Sequence, residues 1–336
     1  MSSPLLPSAG HQASTSSHTH LPIERRRFLA GVAAFGVGVL GAAGTAQAAA
    51  LAASRVRTSM TRSTGRLEVV ALLDASGPFT LTPDRETAFP DATTEDWDAA
   101  RKLDPDAFGP DGVWILNFQC YAIRRPGGRV TLVDSGIGPV GSPASSWAPV
   151  PGRLPEALVE AGIETDDVDT VVLTHLHSDH FGWSVGLDGM PTFADARYVL
   201  QQAEVAEVAG GPVEQFVVDP LRRTGQLHEV DGRARLSIDR GEAVTVIPTP
   251  GHTLGHQSVV ISGRDDEIVV TGDVVVHAVQ LVDPDVGYVF EGDQVVARGT
   301  RRELLAWARH RQALLATSHL TRPFIDVPDP GQSTDD

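Results

Sequence analysis

Residues 174–182 read THLHSDHFG and follow the apolar run VDTVVL at 168–173. Three histidines and an aspartate, His175, His177, Asp179 and His180, fall within six positions. The apolar run reads as a strand and the cluster as the loop that leaves it. On an extended stretch, side chains two apart share a side, so His175 and His177 face one point. Asp179 and His180 follow once the chain turns and reach a second point close by. Imidazole and carboxylate are ligands that Zn²⁺, Mn²⁺ and Fe accept. Structural zinc sites are usually rich in cysteine and closed by four ligands. Here the single cysteine, Cys120, lies in WILNFQCYAI, which reads as a buried strand where it is a small core hydrophobe. Further donors sit at other element boundaries: His252 in TPGHTLGHQS, Asp273 at the end of VVTGD, His319 in LLATSHL. More than four donors point to two divalent ions with open coordination positions, and hence to catalysis.

The rest of the chain supplies a scaffold. Short β-rich runs are expected as strands at 66–73, 113–123, 129–134, 196–200, 243–248, 257–262 and 267–273. The turn signal RRPGG makes the second and third a hairpin. LPEALVEAGI predicts a helix, with Pro155 in its first turn and Gly162 at its stop. Thr300 and Glu303 read as a capping box ahead of a helix carrying Leu304, Leu305, Ala308, Gln312 and Leu315. The stretch 84–111 is loop-rich and acidic and reads as a wall of a pocket or as a subunit contact. Two strand-rich halves, each with helices, give an α/β layered sandwich.

The first 48 residues read as a signal peptide. Arg25-Arg26-Arg27-Phe28-Leu29 resembles the twin-arginine export pattern, a Gly/Ala-rich apolar stretch follows, and Ala46-Gln47-Ala48 is a cleavage pattern. The expected product is exported, periplasmic or extracellular. Residues 49–65 read as a linker, 66–328 as the catalytic domain and 329–336 as a frayed tail. The net charge of −16 repels phosphate backbones and argues against nucleic acid as a partner. A membrane is expected to be met only through the signal segment. The expected partner is a small-molecule substrate, with a homodimer left open.

The motif H-x-H-x-D-H, the His of T-P-G-H-T-x-G-H, the Asp of G-D and the late His stand in order, separated by 72, 21 and 46 residues. Together they resemble the metallo-β-lactamase fold superfamily over roughly residues 66–327. The resemblance implies a four-layer αββα sandwich with a two-metal site, zinc before Mn²⁺ or Fe. It implies that His175, His177 and His252 hold one ion, that Asp179, His180 and His319 hold the other, and that Asp273 bridges them. Two such ions sharing a water would lower its pKa and supply hydroxide at neutral pH. Asp179 is then also a candidate to orient that nucleophile, and Asp134 in LVDSG to steady the metal loop.

Within the superfamily the chain is similar to two groups, the N-acyl homoserine lactonases and the methyl parathion hydrolase-like enzymes. The first implies cleavage of a lactone or ester, the second of a phosphotriester. Many lactonases carry a tyrosine three residues after the bridging aspartate; this chain has Val276. A di-iron redox protein or a non-catalytic metal binder on the same fold is the reading from another class. His277, four residues after Asp273, is a candidate catalytic acid or substrate contact, with a packed strand histidine as the alternative. His256 is expected to brace the His252 turn, Trp183 to wall an acyl pocket or pack on the sheet, and His228 and His310 to lie on the surface.

Overall fold

The computed structural model describes residues 59–328. The expected signal segment, residues 49–58 of the linker and the tail at 329–336 lie outside the described residues. The first sheet takes its strands in chain order: β1 (Ser59–Thr64), β2 (Leu67–Pro78), β3 (Ile115–Arg124), β4 (Val130–Val133), β5 (Val168–Val172), β6 (Arg197–Gln201) and β7 (Leu227–Val230). Neighbours are antiparallel from β1 to β4 and parallel from β4 to β7. The second sheet holds β8 (Ala234–Asp239), β9 (Glu242–Pro248), β10 (Gln257–Ser262), β11 (Glu267–Val270), β12 (Leu314–Ala316) and β13 (Phe324–Ile325), side by side in that order. Only β11 and β12 run parallel there, so the chain must cross over between them.

The helices that pack on the sheets or beside the site include α1 (Thr94–Leu103), α2 (Leu154–Glu160), α3 (Gln202–Glu207), α4 (Asp219–Arg223), α5 (Val279–Val282) and α6 (Gln294–Arg311). Strand alternation sorts the apolar side chains into layers. Val69, Tyr121, Val133, Val172 and Val199 of the first sheet meet Val244, Val246, Val259, Ile261 and Val270 of the second, which fills the space between the sheets. The alternate residues Leu72, Cys120, Leu132, Val171 and Tyr198 face outward and take Leu154, Leu158, Val205 and Leu221 of the helices. On the far side, Val260, Val269 and Leu315 take Leu304, Leu305 and Ala308 of α6. The order helix, sheet, sheet, helix is the expected αββα sandwich. Each fully buried Val, Leu or Ile contributes about 1.5–3 kcal/mol.

Three expectations need correction. The last residues of the supposed linker form β1, which pairs with β2 from Ser59↔Leu72 to Thr64↔Leu67. The late helix starts at Gln294, not after Thr300: Asp293 caps it by accepting from Val295 N and Val296 N, both at 3.0 Å. Thr300 lies mid-helix and donates to Pro250 O, and Leu315 belongs to β12, beyond a left-handed Gln312 that stops the helix. The acidic stretch at 84–111 is also not all loop. Thr93 and Asp96 form a capping box for α1, which packs on α5.

One buried carboxylate fixes the loops next to the site. Asp74 on β2 accepts from Ile137 N (2.7 Å), Leu154 N (2.7 Å) and Trp183 Nε1 (3.0 Å). Burial pushes its carboxyl up to about 6, against the pull of these donors. It thereby seats the 136–138 loop against Gly182 of the histidine cluster, where a Cβ would lie 2.2 Å from Ile137 C. Trp183 is spent on this packing and does not wall the cleft described below.

Candidate metal centre

The seven donors leave the carboxyl-side ends of β5, β9, β11 and β12 and converge at one edge of the sandwich. His175, His177 and His252 gather with one carboxylate oxygen of Asp273, and Asp179, His180 and His319 gather beside them. In the first group, His177 Nδ1 lies 3.0 Å from His175 Nε2 and 2.9 Å from His252 Nε2, and Asp273 Oδ2 is 3.2 Å from His252 Nε2. In the second, Asp273 Oδ1 is 3.2 Å from both His180 Nε2 and His319 Nε2, and Asp179 Oδ2 is 3.5 Å from each. Asp273 therefore turns one oxygen to each group.

The partners behind the rings show what the front atoms carry. Asp134 accepts from Thr174 N (2.8 Å), Thr174 Oγ1 (2.9 Å) and His180 Nδ1 (2.8 Å). Thr174 Oγ1, having donated its proton there, accepts from His175 Nδ1 at 3.1 Å. His319 Nδ1 donates to Asn117 O at 2.9 Å. With Nδ1 carrying one proton, Nε2 of His175, His180 and His319 is left to take a metal ion or a second proton. These lone pairs face other nitrogens or carboxylate oxygens, and His180 Nε2 and Asp273 Oδ1 are buried with no hydrogen-bond partner among the described residues. Lone pairs packed in this way repel unless a cation or proton lies between them. The donor set fits two divalent ions with nitrogen and oxygen ligands.

Electrostatics differ between the halves. Burial, reinforced by the neighbouring rings, lowers His175 and His252 well below the usual imidazole range, so both offer lone pairs at neutral pH. Burial opposes charge at His180 as well, but Asp273, Asp179 and Asp134 overcome it and raise it well above that range. The carboxylate-rich half is thus a cation-seeking pocket.

Sequence reasoning missed one support. Glu204, at the start of α3, is buried and accepts from Leu176 N (2.6 Å), Thr253 Oγ1 (2.6 Å) and Gly255 N (3.2 Å). It clamps the loop of His175 and His177 to the loop of His252. His256 braces the His252 turn as expected, its Nδ1 donating to Thr249 Oγ1 (2.9 Å) and O (3.1 Å), and it also holds the Asp273 turn, its Nε2 accepting from Asp273 N at 3.0 Å. Burial lowers it to about 4, so it stays neutral and can accept. Gly272 makes room for this contact, since a Cβ there would lie 2.5 Å from His256 Nε2 and its φ is +54°. The only sequence signal for Glu204 is its place just after a strand end.

The centre forms the floor of a cleft enclosing ≈ 190 Å³. Phe79, Leu81, Trp114, Leu116, Trp147, Tyr288 and Phe290 form its walls, with Ser178 beside the metal loop. Among the described residues, no side chain lining it outside the donor set is charged. Tyr288 stacks on His252, with centroids 6.2 Å apart and planes at 6°.

His277 is not brought to this cleft, which corrects the expectation of a catalytic acid or substrate contact. It lies behind Trp114 in a box of Phe89, Trp97, Phe108 and Trp114, with ring centroids at 5.3–5.4 Å. Its Nδ1 accepts from Val279 N at 3.0 Å. Burial, then Arg85, lowers it to about 3. The unfolded chain, with an ordinary value of about 6.5, binds a proton that the folded chain refuses. The folded value is the depressed one, so stability is full above about pH 6.5 and falls as pH drops toward 3. The loss reaches about 4–5 kcal/mol at most. His277→Phe is expected to keep kcat within about twofold and to flatten the loss of stability between pH 6.5 and 4 in urea unfolding. A loss of kcat with metal content intact would restore the catalytic reading. Val276 is buried in the core, and His228 and His310 are exposed.

Comparison with known proteins agrees with the geometry. Residues 119–319 match the family model described as the Metallo-beta-lactamase superfamily. The chain belongs to the metallo-beta-lactamase superfamily. Among solved structures it is similar to "hydrolase AbOPH in beta lactamase superfamily", at 21% identity over 81% of this chain and 97% of that one, with a TM-score of 0.66. AidC, a dizinc quorum-quenching lactonase in complex with a product, matches at 19% identity over 81% and 97%, with a TM-score of 0.63. A probable metal-dependent hydrolase from Staphylococcus aureus matches at 16% identity over 77% and 91%, with a TM-score of 0.64. At these identities the structural likeness speaks for the superfamily's fold.

Proposed function

We propose that this superfamily member is a two-metal hydrolase of neutral, apolar lactones or esters. The observation that carries this reading is Asp273, whose two oxygens face two separate donor groups at the floor of an uncharged aromatic cleft. His175, His177 and His252 would hold one ion, Asp179, His180 and His319 the other, and Asp273 both. A bound ion pair supplies a water that ionises near neutral pH and an electrophile for the substrate oxygen, with zinc first among the candidates and Mn²⁺ or Fe behind it. The protein's own part is to fix geometry and exclude solvent. Asp134, Thr174 and Asn117 set the ring tautomers, and Asp179 can also accept a proton from the attacking water. The aromatic walls desolvate an apolar substrate. The described wall residues are uncharged, which disfavours carboxylate or phosphodiester substrates, since they offer an anion no cation beside the centre.

The same uncharged cleft accepts a neutral phosphotriester, and this is the second reading. One panel decides between them: a γ-lactone, a nitrophenyl ester and a methyl phosphotriester, ranked by kcat/KM on zinc-loaded protein. The lactone or ester is expected to lead. A leading phosphotriester would favour the second reading, and no turnover of any would remove both. A coloured iron site with redox turnover would instead favour the di-iron alternative. We further propose export by the twin-arginine route. Replacing Arg25 and Arg26 by Lys is expected to keep the protein in the cytoplasm, read by cell fractionation; unchanged export would remove that reading.

A further inference from the structure

Arg301 lies within α6 and has no exposed surface. An arginine is almost never fully buried unless it is paired. Leu304, Leu305 and Ala308 pack α6 on the second sheet, and 301 shares their face by spacing, so packing alone calls for an apolar residue there. The guanidinium reaches the backbone beside the metal centre instead. Its Nε donates to Val274 O at 3.3 Å, directly after Asp273. Its Nη1 donates to Val286 O at 3.4 Å and to Glu291 Oε1 at 3.0 Å, and Nη2 contacts the same carboxylate oxygen. Glu291, whose side chain is 1% exposed, accepts on its other oxygen from Tyr288 N at 3.2 Å. Gln280 completes the group: its Oε1 accepts from Val276 N at 3.0 Å, and its Nε2 donates to Val286 O and Glu291 Oε1, each at 3.3 Å.

This group joins two turns that carry metal donors. On one side stand Val274 and Val276, just past Asp273. On the other, Glu291 continues into Gly292 and Asp293, whose N–H groups donate to His252 O and Gly251 O, each at 2.9 Å. Thr300 of α6 adds a hydrogen bond to Pro250 O at 2.6 Å, and a Cβ on Gly251 would lie 2.3 Å from Ala297 N. The Asp273 turn is thus gripped twice, at Asp273 N by His256 and just beyond by Arg301 and Gln280. Burial opposes both charges, lowering Arg301 and raising Glu291, and each countercharge works against that. Replacing a buried ion pair by apolar groups of like size is often neutral or stabilising, so the pair is weak evidence for a stability device.

We propose that Arg301, with Glu291 and Gln280 behind it, is a positioning residue for the metal centre: it sets the Asp273 turn against the His252 turn and so keeps the separation of the bridge and His252. The proposal rests on the two-metal reading above. Asp273 Oδ2 lies 3.2 Å from His252 Nε2, yet the two residues follow different strands, β11 and β9. Donors that share an ion tolerate little drift, since ligand distances must hold to within about 0.2 Å. Arg301 does not line the cleft and acts through these turns.

The test is Arg301→Lys in the full chain, with Leu221→Ala of α4, which packs on the first sheet, as a control for lost stability. Lysine keeps a charge beside Glu291, but its one nitrogen cannot stand where both Nε and Nη1 stand. Cobalt gives a readout independent of turnover. In protein expressed in cobalt medium, the visible bands of Arg301→Lys should shift, and chelator should strip the ions at a concentration about 10- to 100-fold below that for wild type. Leu221→Ala should match wild type in both. With a hydrolysed substrate, kcat of Arg301→Lys should fall about 10-fold with KM within about threefold. If Arg301→Lys does not fold, Gln280→Met replaces it, since it frees Val276 N and leaves no charge unpaired; the same changes are expected, smaller in size. A folded variant with wild-type bands and wild-type chelator resistance would overturn the proposal. So would equal losses in Leu221→Ala, which would trace them to stability alone. If wild type hydrolysed none of the panel, the hydrolase reading would fail, while the cobalt arm would still decide the role of Arg301. Wild type that carried no cobalt would sink the two-metal reading and this proposal with it.

Discussion

Asp273→Ala is expected to leave a folded protein that binds neither ion tightly and hydrolyses its substrate on the order of 10³-fold or more below wild type. The magnitude follows from the several kcal/mol that paired ions supply at developing charge, at 1.36 kcal/mol per tenfold in rate. Asp273 turns a carboxylate oxygen to each donor group: Oδ2 is within 3.2 Å of His252 Nε2, and Oδ1 within 3.2 Å of His180 and His319 Nε2. Removing it leaves the first group three neutral rings, with no charge to balance a divalent ion. The second group keeps Asp179 but loses its closest anion. Elemental analysis after gel filtration should find well under one ion per chain. Circular dichroism matching that of wild type would show that the loss is not unfolding. Two ions per chain retained in the variant would contradict a bridging role.

The second large effect is expected from a residue that touches no ion. Glu204→Gln should weaken the three-histidine half by about 10- to 100-fold in metal affinity, the usual cost of losing a partner behind the ligands. The carboxylate accepts on both oxygens, from Leu176 N on one side and from Thr253 Oγ1 and Gly255 N on the other. An amide turns an NH₂ toward one of these sides, whichever way it lies, and sets donor against donor. Leu176 stands between His175 and His177, and Thr253 follows His252, so the disturbance falls on that group. The other group keeps its own supports in Asp134 and Asn117. Titration with a chelator should therefore remove one ion early and the second at the wild-type concentration. Parallel loss of both, or loss of neither, would remove Glu204 from this role.

How much of this was legible in the sequence depended on how locally each feature is encoded. His175, His177, Asp179 and His180 stand within six residues, and His252, Asp273 and His319 each follow an apolar run, so strand ends and polar donors coincide in one dimension. The sandwich was readable because apolar runs such as those of β3, β6 and β10, buried on both faces, fall into two strand-rich halves that each carry helices. β1 was not, because it is an edge strand held by backbone pairing; Met60, Thr61 and Arg62 are exposed and show no apolar pattern. The early start of α6 was hidden because Val295 and Val296 are exposed β-branched residues in its first turn, outside the helical stripe. His277 was misread because its spacing from Asp273 resembles that of a site residue. Its box is built by Phe89, Trp97 and Phe108, from a distant stretch that reads as loop-rich, and by Trp114 at the start of an expected strand. Glu204 and Asp74 act across separations that no local pattern encodes.

The most direct test is anomalous diffraction at the zinc edge from crystals of protein purified without chelator. Two peaks per chain are expected, one among His175, His177 and His252 and one among Asp179, His180 and His319, with Asp273 between them. A map with no peak at these side chains, from protein that still turns over its substrate, would contradict the account.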